Sequence, residues 1–338
     1  MDLGARKRIF KILIIVGLPL AASLFFYRRL IIFFPKEELL HKKMRYLYSK
    51  EDPPTDILYL GSSRTMNHID PRVVDSVCGT RSYNLGLNAF NMAEMRMQLR
   101  VCLANGKVPR VLAVNLDPSS FNTHSAVYSF PQLLAYAARD TTIRNSMAGV
   151  VDVYKWRWKY PFYDLQVFTA FNDGFKVDAI LSGKEYRREK AVFIAGEEEG
   201  VKPDYKGFVP IYESYMETYV SPFNEKYDEK GFELLRDIVH LCRSHQIQPV
   251  FFTAPMYRDY RKIFLNTGEI LSRVEVILRE ERAPYFNMID DSLPYRKTDF
   301  FNFVHLNGWA AERYSLKLAL LLRDSLPGLS LSGLRRGS

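Results

Sequence analysis

Short apolar runs recur along the chain from residue 57 onward, and each is bounded by turn residues or by polar stretches. The runs that predict strands lie at 57–60, 82–85, 111–116, 249–253 and 285–289. They are apolar at successive positions instead of alternating with polar residues. That pattern is typical of strands buried on both faces of a parallel sheet.

Longer segments between these runs repeat apolar residues every three or four positions. They predict helices over 89–104, about 227–245, about 263–281 and about 308–326. Helices that alternate with buried strands cover both faces of a sheet. The sequence therefore predicts an α/β fold, a three-layer α/β/α sandwich with a mainly parallel sheet of about five strands in flavodoxin-like order.

Residues 120–226 interrupt the alternation of strands and helices. This stretch is rich in aromatic residues, has weak periodicity and contains an acidic run at 197–199. We interpret it as an insertion over the functional edge of the sheet, where it would shape a cleft. Within it, 154–160 alternates aromatic with basic residues, which suits sugar stacking, a lipid headgroup layer or an edge strand with one packed face.

The apolar segment 9–27 is interrupted only by Lys11 and has basic residues on both sides. Lys11 can extend to the membrane interface, so the segment is long enough to predict a single transmembrane helix. The alternative is a cleaved signal peptide, because residues 21–23 are small. The apolar run continues through that point, which favours the transmembrane helix.

The excess positive charge lies at the amino terminus. The chain carries +9 in total, and residues 1–45, with ten Lys/Arg and three Asp/Glu, account for +7 of it. A nucleic-acid binder carries its basic patch on the folded domain, whereas this excess flanks an apolar segment. We therefore predict the lipid bilayer as a partner, and no nucleic acid.

Orientation in the membrane is less directly encoded, since four basic residues, including Lys11, precede the uncharged part of the segment and six follow it up to Arg45. A short basic amino terminus resists translocation, while a long domain crosses regardless of its charge. We predict a single-pass protein of the cytoplasmic (inner) membrane with its large domain outside the cytoplasm.

The predicted organisation has four parts, and the 47% hydrophobic composition is ample for the core of the largest. A tail and transmembrane anchor occupy 1–34, a juxtamembrane stalk 35–55, the α/β domain with its insertion 56–326, and a carboxyl-terminal tail 327–338.

A Gly-Ser-Ser turn follows the first predicted strand, and a histidine lies just before the last predicted helix. These are Ser63 and His305, which both fall at the sheet edge where α/β domains collect their chemistry. We predict Ser63 as a nucleophile and His305 as its general base, with Oγ and a ring nitrogen within about 3 to 4 Å. The alternatives are an ordinary turn serine and a histidine that caps the helix.

Other candidate groups point to no metal and no cofactor. The three cysteines, Cys78, Cys102 and Cys242, are odd in number and widely spaced, and are expected to be small buried residues. His240 and His245 are five apart on one helix and share no face. His68 and His124 are expected to be solvated loop histidines. No segment has the spacing of a phosphate loop.

Four segments together resemble the SGNH (GDSL-like) hydrolases. They are Leu-Gly-Ser-Ser-Arg-Thr at 60–65, Tyr-Asn-Leu-Gly at 83–86, Phe-Phe-Thr-Ala-Pro at 251–255 and Asn-x-x-His-Leu-Asn-x-x-Ala at 302–310. The similarity is to the membrane-anchored branch that includes alginate-acetylation proteins and the D-alanine lipoteichoic acid transfer protein. It spans about 56–320 and leaves the insertion uncovered.

The resemblance implies a membrane-anchored serine esterase or O-acyltransferase that acts on a cell-envelope glycan or polymer through an acyl-serine intermediate. It implies Ser63 as the nucleophile, and the N–H groups of Ser63 and Gly86 as the oxyanion hole. Asn302 would orient His305. Other membrane-bound export or acylation proteins would be partners.

The chain departs from the family pattern in its orienter and its third block. Asn302 stands where the family has Asp, and that exchange in a serine protease favours the wrong imidazole tautomer and costs about ten-thousand-fold in rate. Cysteine proteases nevertheless use Asn, and Asp299 in the same loop is a second candidate orienter. In the third block Asn115 lies inside the strand and Asp117 has the wrong charge, so we assign no third oxyanion donor.

Two other classes of function remain open on the sequence alone. One is a catalytically silent domain that binds a glycan or a partner in an envelope or polysaccharide export complex. A separation beyond about 7 Å between Ser63 and His305 would favour it. The other is a carboxylate-pair glycosidase, which needs two facing acidic residues and has no motif here.

Overall fold

The computed structural model describes most of the chain outside the amino terminus and the insertion. The described residues are 39–52, 54–124, 140–148, 205–213, 220–290 and 295–326, with isolated positions at 11, 14, 15, 17, 18, 133, 136, 137 and 215.

Five parallel strands form one sheet, in the order β2-β1-β3-β4-β5. The strands are β1 (Ile57–Leu60), β2 (Ser82–Asn84), β3 (Val111–Asn115), β4 (Gln248–Thr253) and β5 (Tyr285–Asn287). The parallel five-stranded sheet and its flavodoxin-like order are therefore confirmed. All five carboxyl ends lie along one edge, because parallel strands share a direction.

Eight helices are described with both ends. They are α1 (Leu39–Tyr48), α2 (Ser63–His68), α3 (Pro71–Cys78), α4 (Met92–Ala104), α5 (Thr141–Met147), α6 (Glu229–Ser244), α7 (Thr267–Glu280) and α8 (Gly308–Ser325). The periodicity predicted α4, α6, α7 and α8. It did not predict α2 and α3, because helices of 6 and 8 residues are too short to show a repeat.

The start of α4 illustrates how local chemistry sets a boundary. The pattern predicts a start at Ala89, but the helix begins at Met92 because Asn91 and Glu94 form a reciprocal capping box. Ala89 itself has a left-handed backbone with φ of 58°, which no helix continues through.

Helices cover both faces of the sheet. On one face, α3 and α8 pack over the odd-numbered positions of β1 and β3 and the even-numbered positions of β4. The buried cluster there includes Tyr59, Ala113, Phe252, Val74, Tyr314 and Leu318. On the other face, α6 lies against β4 and α4. The predicted three-layer arrangement is thus present, and all three cysteines are buried and free, as expected.

Helix α1 falls in the segment predicted as a stalk, but it packs as part of the α/β unit that begins at Leu39. Its Tyr46 ring stacks on Tyr83 at a centroid distance of 3.8 Å. Lys43 is fully buried and its Nζ donates to the carbonyl of Gly86. The helix is amphipathic, and burial of its apolar face explains why it joins the domain.

Several predicted features lie outside the described residues. They include nearly all of the predicted anchor at 9–27, the aromatic and basic strip at 154–160 and the tail at 327–338. A second compact unit, 1–38 with 152–191, is almost entirely undescribed. No helix in the described ranges combines the length and apolar character needed to cross a membrane.

The packing of α1 makes a testable statement about stability. Leu47 is fully buried, so Leu47→Ala is expected to lower the free energy of unfolding by about 2 to 5 kcal/mol, measured by urea denaturation of the full chain. Arg45→Ala on the exposed side of α1 is the control, expected to change it by about 0.5 kcal/mol or less. If Leu47→Ala changed the free energy of unfolding as little as Arg45→Ala, α1 would be a stalk that does not pack on the domain.

Candidate active site

A tight turn after β1 presents the candidate nucleophile. Gly61 has φ of 153°, and a Cβ there would lie 1.9 Å from Thr65 Oγ1, so only glycine fits. Ser62 is the N-cap of α2 and accepts a hydrogen bond from the N–H of Arg64 at 3.2 Å. Ser63 is therefore the first helical residue, half-buried at the carboxyl edge of the sheet.

A compact loop before α8 holds the candidate base. Phe300 and Leu306 pair in an antiparallel bridge, and Phe301 N–H donates to the carbonyl of His305 at 2.8 Å. Asn307, rather than His305, caps α8 by accepting from Ala310 N–H at 3.0 Å. The alternative role of His305 as a helix cap is therefore wrong, and its imidazole is available for other contacts.

The two predicted residues meet at the sheet edge. His305 Nε2 lies 2.8 Å from Ser63 Oγ, although the residues are 242 positions apart in the chain. On the other side of the ring, His305 Nδ1 lies 3.1 Å from Asn302 Oδ1. The structure thus brings Ser63, His305 and Asn302 into one hydrogen-bonded chain, in the order that nucleophilic catalysis requires.

The hydrogen bonds of Asn302 decide the tautomer of the imidazole. Its Oδ1 also accepts the backbone N–H groups of Val304 at 3.0 Å and His305 at 2.9 Å. Only the oxygen of an amide accepts, so these two donors orient the oxygen toward the ring. His305 Nδ1 must then carry the proton, which leaves Nε2 with a lone pair facing the Ser63 hydroxyl.

Asp299, the second candidate orienter, is engaged elsewhere. Its Oδ1 accepts from Arg313 at 2.6 Å and its Oδ2 from the N–H of Arg296 at 2.7 Å. The contact to His305 is made by Asn302, so the amide orients the ring in this arrangement. The serine-protease exchange favours the wrong tautomer, whereas here two backbone donors hold Asn302 Oδ1 toward the ring and favour the proton on Nδ1.

Burial and a nearby cation keep the base neutral. Burial, followed by the positive charge of Arg64, lowers the pKa of His305 from 6.5 to about 4. The imidazole is consequently unprotonated at neutral pH. A neutral ring is the form that accepts a proton from serine.

A buried ion pair lies directly beside the nucleophile. Arg64, 4% exposed, and Asp117, 2% exposed, are joined at 2.6 Å between Nη1 and Oδ1. Arg64 also donates to the carbonyl of Ala254, and the hydroxyl of Ser62 donates to Asp117 Oδ2. The pair therefore connects the ends of β1, β3 and β4 beneath the Ser63 turn.

Sequence reasoning did not assign Arg64 and Asp117 to the site, although a signal was present. Arg64 follows β1 and Asp117 follows β3, and these strands are neighbours in flavodoxin-like order. Opposite charges at the carboxyl ends of adjacent buried strands have few partners other than each other.

The predicted oxyanion donors differ in their surroundings. The N–H of Ser63 makes no hydrogen bond within the described part of the chain, as expected at the first position of a helix. The N–H of Gly86 donates to Asn84 Oδ1 at 2.9 Å, so the fold already supplies it with an acceptor. A Cβ on Gly86 would lie 2.6 Å from the backbone nitrogen of Met66, so close packing by itself requires glycine at this position.

Asn115, in the third family block, is also fully engaged. Its Nδ2 donates to Asp117 Oδ1 at 3.1 Å and its Oδ1 accepts from Ala254 N–H at 2.9 Å. These bonds tie β3 to β4 and support the ion pair. No third oxyanion donor is assigned from this residue.

The expectation that His68 is a solvated loop residue is wrong. His68 is the last residue of α2, fully buried, and its Nε2 accepts from the N–H of Leu306 at 2.9 Å. Because the short helix α2 was not predicted, the burial of His68 at its end was not predicted either. His124, by contrast, is exposed as expected.

Comparisons with known proteins add similar solved structures. No family model and no curated protein matches the chain. A GDSL-like lipase from Bacteroides thetaiotaomicron is similar over 85% of this chain and 98% of its own, with 10% identity and a TM-score of 0.41. A carbohydrate acetylesterase family member from Sinorhizobium meliloti is similar over 80% and 98%, with 10% identity and a TM-score of 0.38. At these identities and TM-scores, the functional proposal rests on the geometry of the site.

The buried ion pair predicts that Asp117 contributes far more to the free energy of unfolding than the exposed Asp237 does. Asp117→Asn leaves the Arg64 charge buried without a counter-charge and is expected to lower the free energy of unfolding by about 3 to 5 kcal/mol in urea. Asp237, 49% exposed, pairs with Arg96 at 3.5 Å, and Asp237→Asn is the control, with an expected change below about 1 kcal/mol. A small effect at Asp117 would contradict the role of the pair.

Proposed function

We propose that this protein is a serine-dependent acyl esterase or acyltransferase, with Ser63 as the nucleophile. The observation behind the proposal is the 2.8 Å contact between Ser63 Oγ and His305 Nε2, backed by the Asn302 contact at 3.1 Å. A serine at the end of a parallel strand, paired with a neutral and oriented imidazole, has the arrangement of an activated nucleophile.

In the first half-reaction, Ser63 Oγ forms a bond to the carbonyl carbon of an ester while His305 Nε2 takes the hydroxyl proton. The N–H of Ser63 donates to the carbonyl oxygen as negative charge develops there. The bond between the carbonyl carbon and the leaving alkoxide then breaks, and His305 returns the proton to the leaving oxygen. An acyl-serine remains.

In the second half-reaction, water or a hydroxyl of an acceptor attacks the acyl carbon. His305 takes the proton of the attacking group and gives it to Ser63 Oγ as the acyl bond breaks. Esterase and transferase differ only in this acceptor. Asn302 keeps the Nδ1–H tautomer throughout, because its oxygen is held by two backbone donors.

For the substrate, we propose an O-acylated glycan or polymer of the cell envelope, with the protein tethered to the inner membrane. The motif resemblance and the predicted anchor at 9–27 support this part of the proposal. Gly86 as a second oxyanion donor also remains a prediction, and it requires the Gly86 N–H to leave Asn84 when substrate binds.

The catalytically silent alternative fits the geometry less well. That role was expected to show Ser63 and His305 beyond about 7 Å, whereas Oγ and Nε2 lie 2.8 Å apart. A binding domain has no need to keep a half-buried histidine unprotonated or to hold its tautomer.

The nucleophile is tested with a serine-directed fluorophosphonate probe on the full chain. The wild type is expected to be labelled, and Ser63→Ala to lose labelling and to lower the ester hydrolysis rate on the order of 10³-fold or more. Ser272→Ala changes an exposed serine of α7 and is the control; it is expected to keep both the labelling and the hydrolysis rate of the wild type. Labelling that persists in Ser63→Ala would defeat the proposal.

The pH dependence tests the base. Since the pKa of His305 is about 4 in the folded protein, kcat/KM is expected to be constant on the acid side down to about pH 5 and to fall as pH drops through about 4. Asn302→Asp places a carboxylate against Nδ1, raises the pKa and is expected to move this acid limb upward by on the order of 1 to 3 pH units.

Asp299→Asn is the matched control for that shift. Asp299 pairs with Arg313 and not with the imidazole, so its substitution should leave the acid limb in place. A wild-type limb near 6.5 would contradict the lowered pKa of His305, and an equal shift in both variants would show that residue 302 does not set its basicity.

A further inference from the structure

A second histidine lies directly behind the candidate catalytic base. His68 is 0% exposed, and its ring meets that of His305 edge to face, with centroids 6.2 Å apart. Its Nε2 accepts from the N–H of Leu306 at 2.9 Å, the peptide that immediately follows His305. The contact joins the end of α2 to the loop that carries the base.

The protonation state of His68 follows from this contact. A ring nitrogen that accepts from a backbone N–H has no proton, so the single proton of neutral His68 is on Nδ1. That Nδ1 is buried without a hydrogen-bond partner in the described part of the chain. An unpartnered buried N–H is unfavourable. An apolar side chain at this position would avoid the cost of the unpartnered Nδ1–H. It could not accept the hydrogen bond from the N–H of Leu306, which is what the histidine contributes.

We propose that His68 is a positioning residue, whose neutral imidazole holds the Leu306 peptide and thereby keeps His305 Nε2 within reach of Ser63 Oγ. The inference rests on the proposed function and adds a residue to it. Ser63 is the first and His68 the last residue of α2. One rigid helix turn therefore determines the positions of both the nucleophile and the loop that carries the base.

Residues of α8 also contact the carboxyl end of α2. Ser315 on α8 accepts from the N–H of Asp70 at 2.8 Å, and its hydroxyl lies 2.7 Å from the carbonyl of Ala311 and 3.1 Å from that of His68, which share its single proton. Tyr314 places its ring edge to face with His68, 6.2 Å between centroids.

The charged and titratable groups around His68 favour the neutral form. Arg64 lies on the same helix, His305 on the loop and Tyr314 on α8. Burial, followed by the charges of Arg64 and His305, lowers the pKa of His68 well below 6.5. A protonated Nε2 would turn the acceptor into a donor and break the contact with Leu306.

Two substitutions separate the acceptor from mere bulk. Gln presents an amide oxygen near the place of Nε2, while Leu fills the space without an acceptor. We expect His68→Leu to lower kcat by about 10- to 100-fold with KM within about twofold, because the base is displaced while the binding surface is intact. His68→Gln should recover kcat to within about fivefold of wild type. The exposed His245→Leu is the control and keeps both constants.

The outcomes distinguish this inference from the proposed function. If Ser63→Ala abolishes activity while His68→Leu retains kcat, only the positioning role is overturned. Equal losses in His68→Leu and His68→Gln would also overturn it. If Ser63→Ala stays active, the proposed function itself has failed.

Nitrogen-15 NMR of histidine in the wild-type chain provides a readout that does not depend on any variant folding. At neutral pH, the His68 signal is expected to show a protonated Nδ1 and an unprotonated Nε2. A protonated Nε2 would exclude acceptance from Leu306 and so contradict the proposal.

Discussion

The hydrogen bond between Ser63 Oγ and His305 Nε2 is the interaction on which the functional interpretation of this structure depends. It is long-range in the chain and short in space, so it exists only because a parallel sheet gathers its strand ends at one edge. On the serine side, Gly61 and the helix that follows fix the direction of the hydroxyl. On the histidine side, the bridge at Leu306 and its contact with His68 fix the loop.

The site also shows how an amide performs the orienting role usually taken by a carboxylate. Two backbone donors hold Asn302 Oδ1 toward His305, so the tautomer is decided by the loop and not by charge. The absence of a negative charge at that position leaves the imidazolium poorly stabilised. Burial, followed by the charge of Arg64, lowers the pKa of His305 to about 4, so the imidazole is less basic than one beside a carboxylate.

Arg64 combines a structural role with an electrostatic one. Its pair with Asp117 ties three strand ends together in a buried environment, where an unpaired charge would be costly. The same cation disfavours protonation of the two histidines of the site.

Sequence periodicity was enough to predict the five-stranded parallel sheet, because buried strands and amphipathic helices leave strong periodic signals, and it placed Ser63 and His305 at strand and helix ends. It did not predict α2, whose 6 residues are too few for a period, and so the burial of His68 was not predicted either. The contact of Asn302 with the His305 ring and that of Gly86 N–H with Asn84 became visible in the folded chain, because both depend on which polar groups lie within hydrogen-bond distance after folding. Periodicity encodes which side of an element is buried, whereas the partner of each buried polar group depends on segments far apart in the chain.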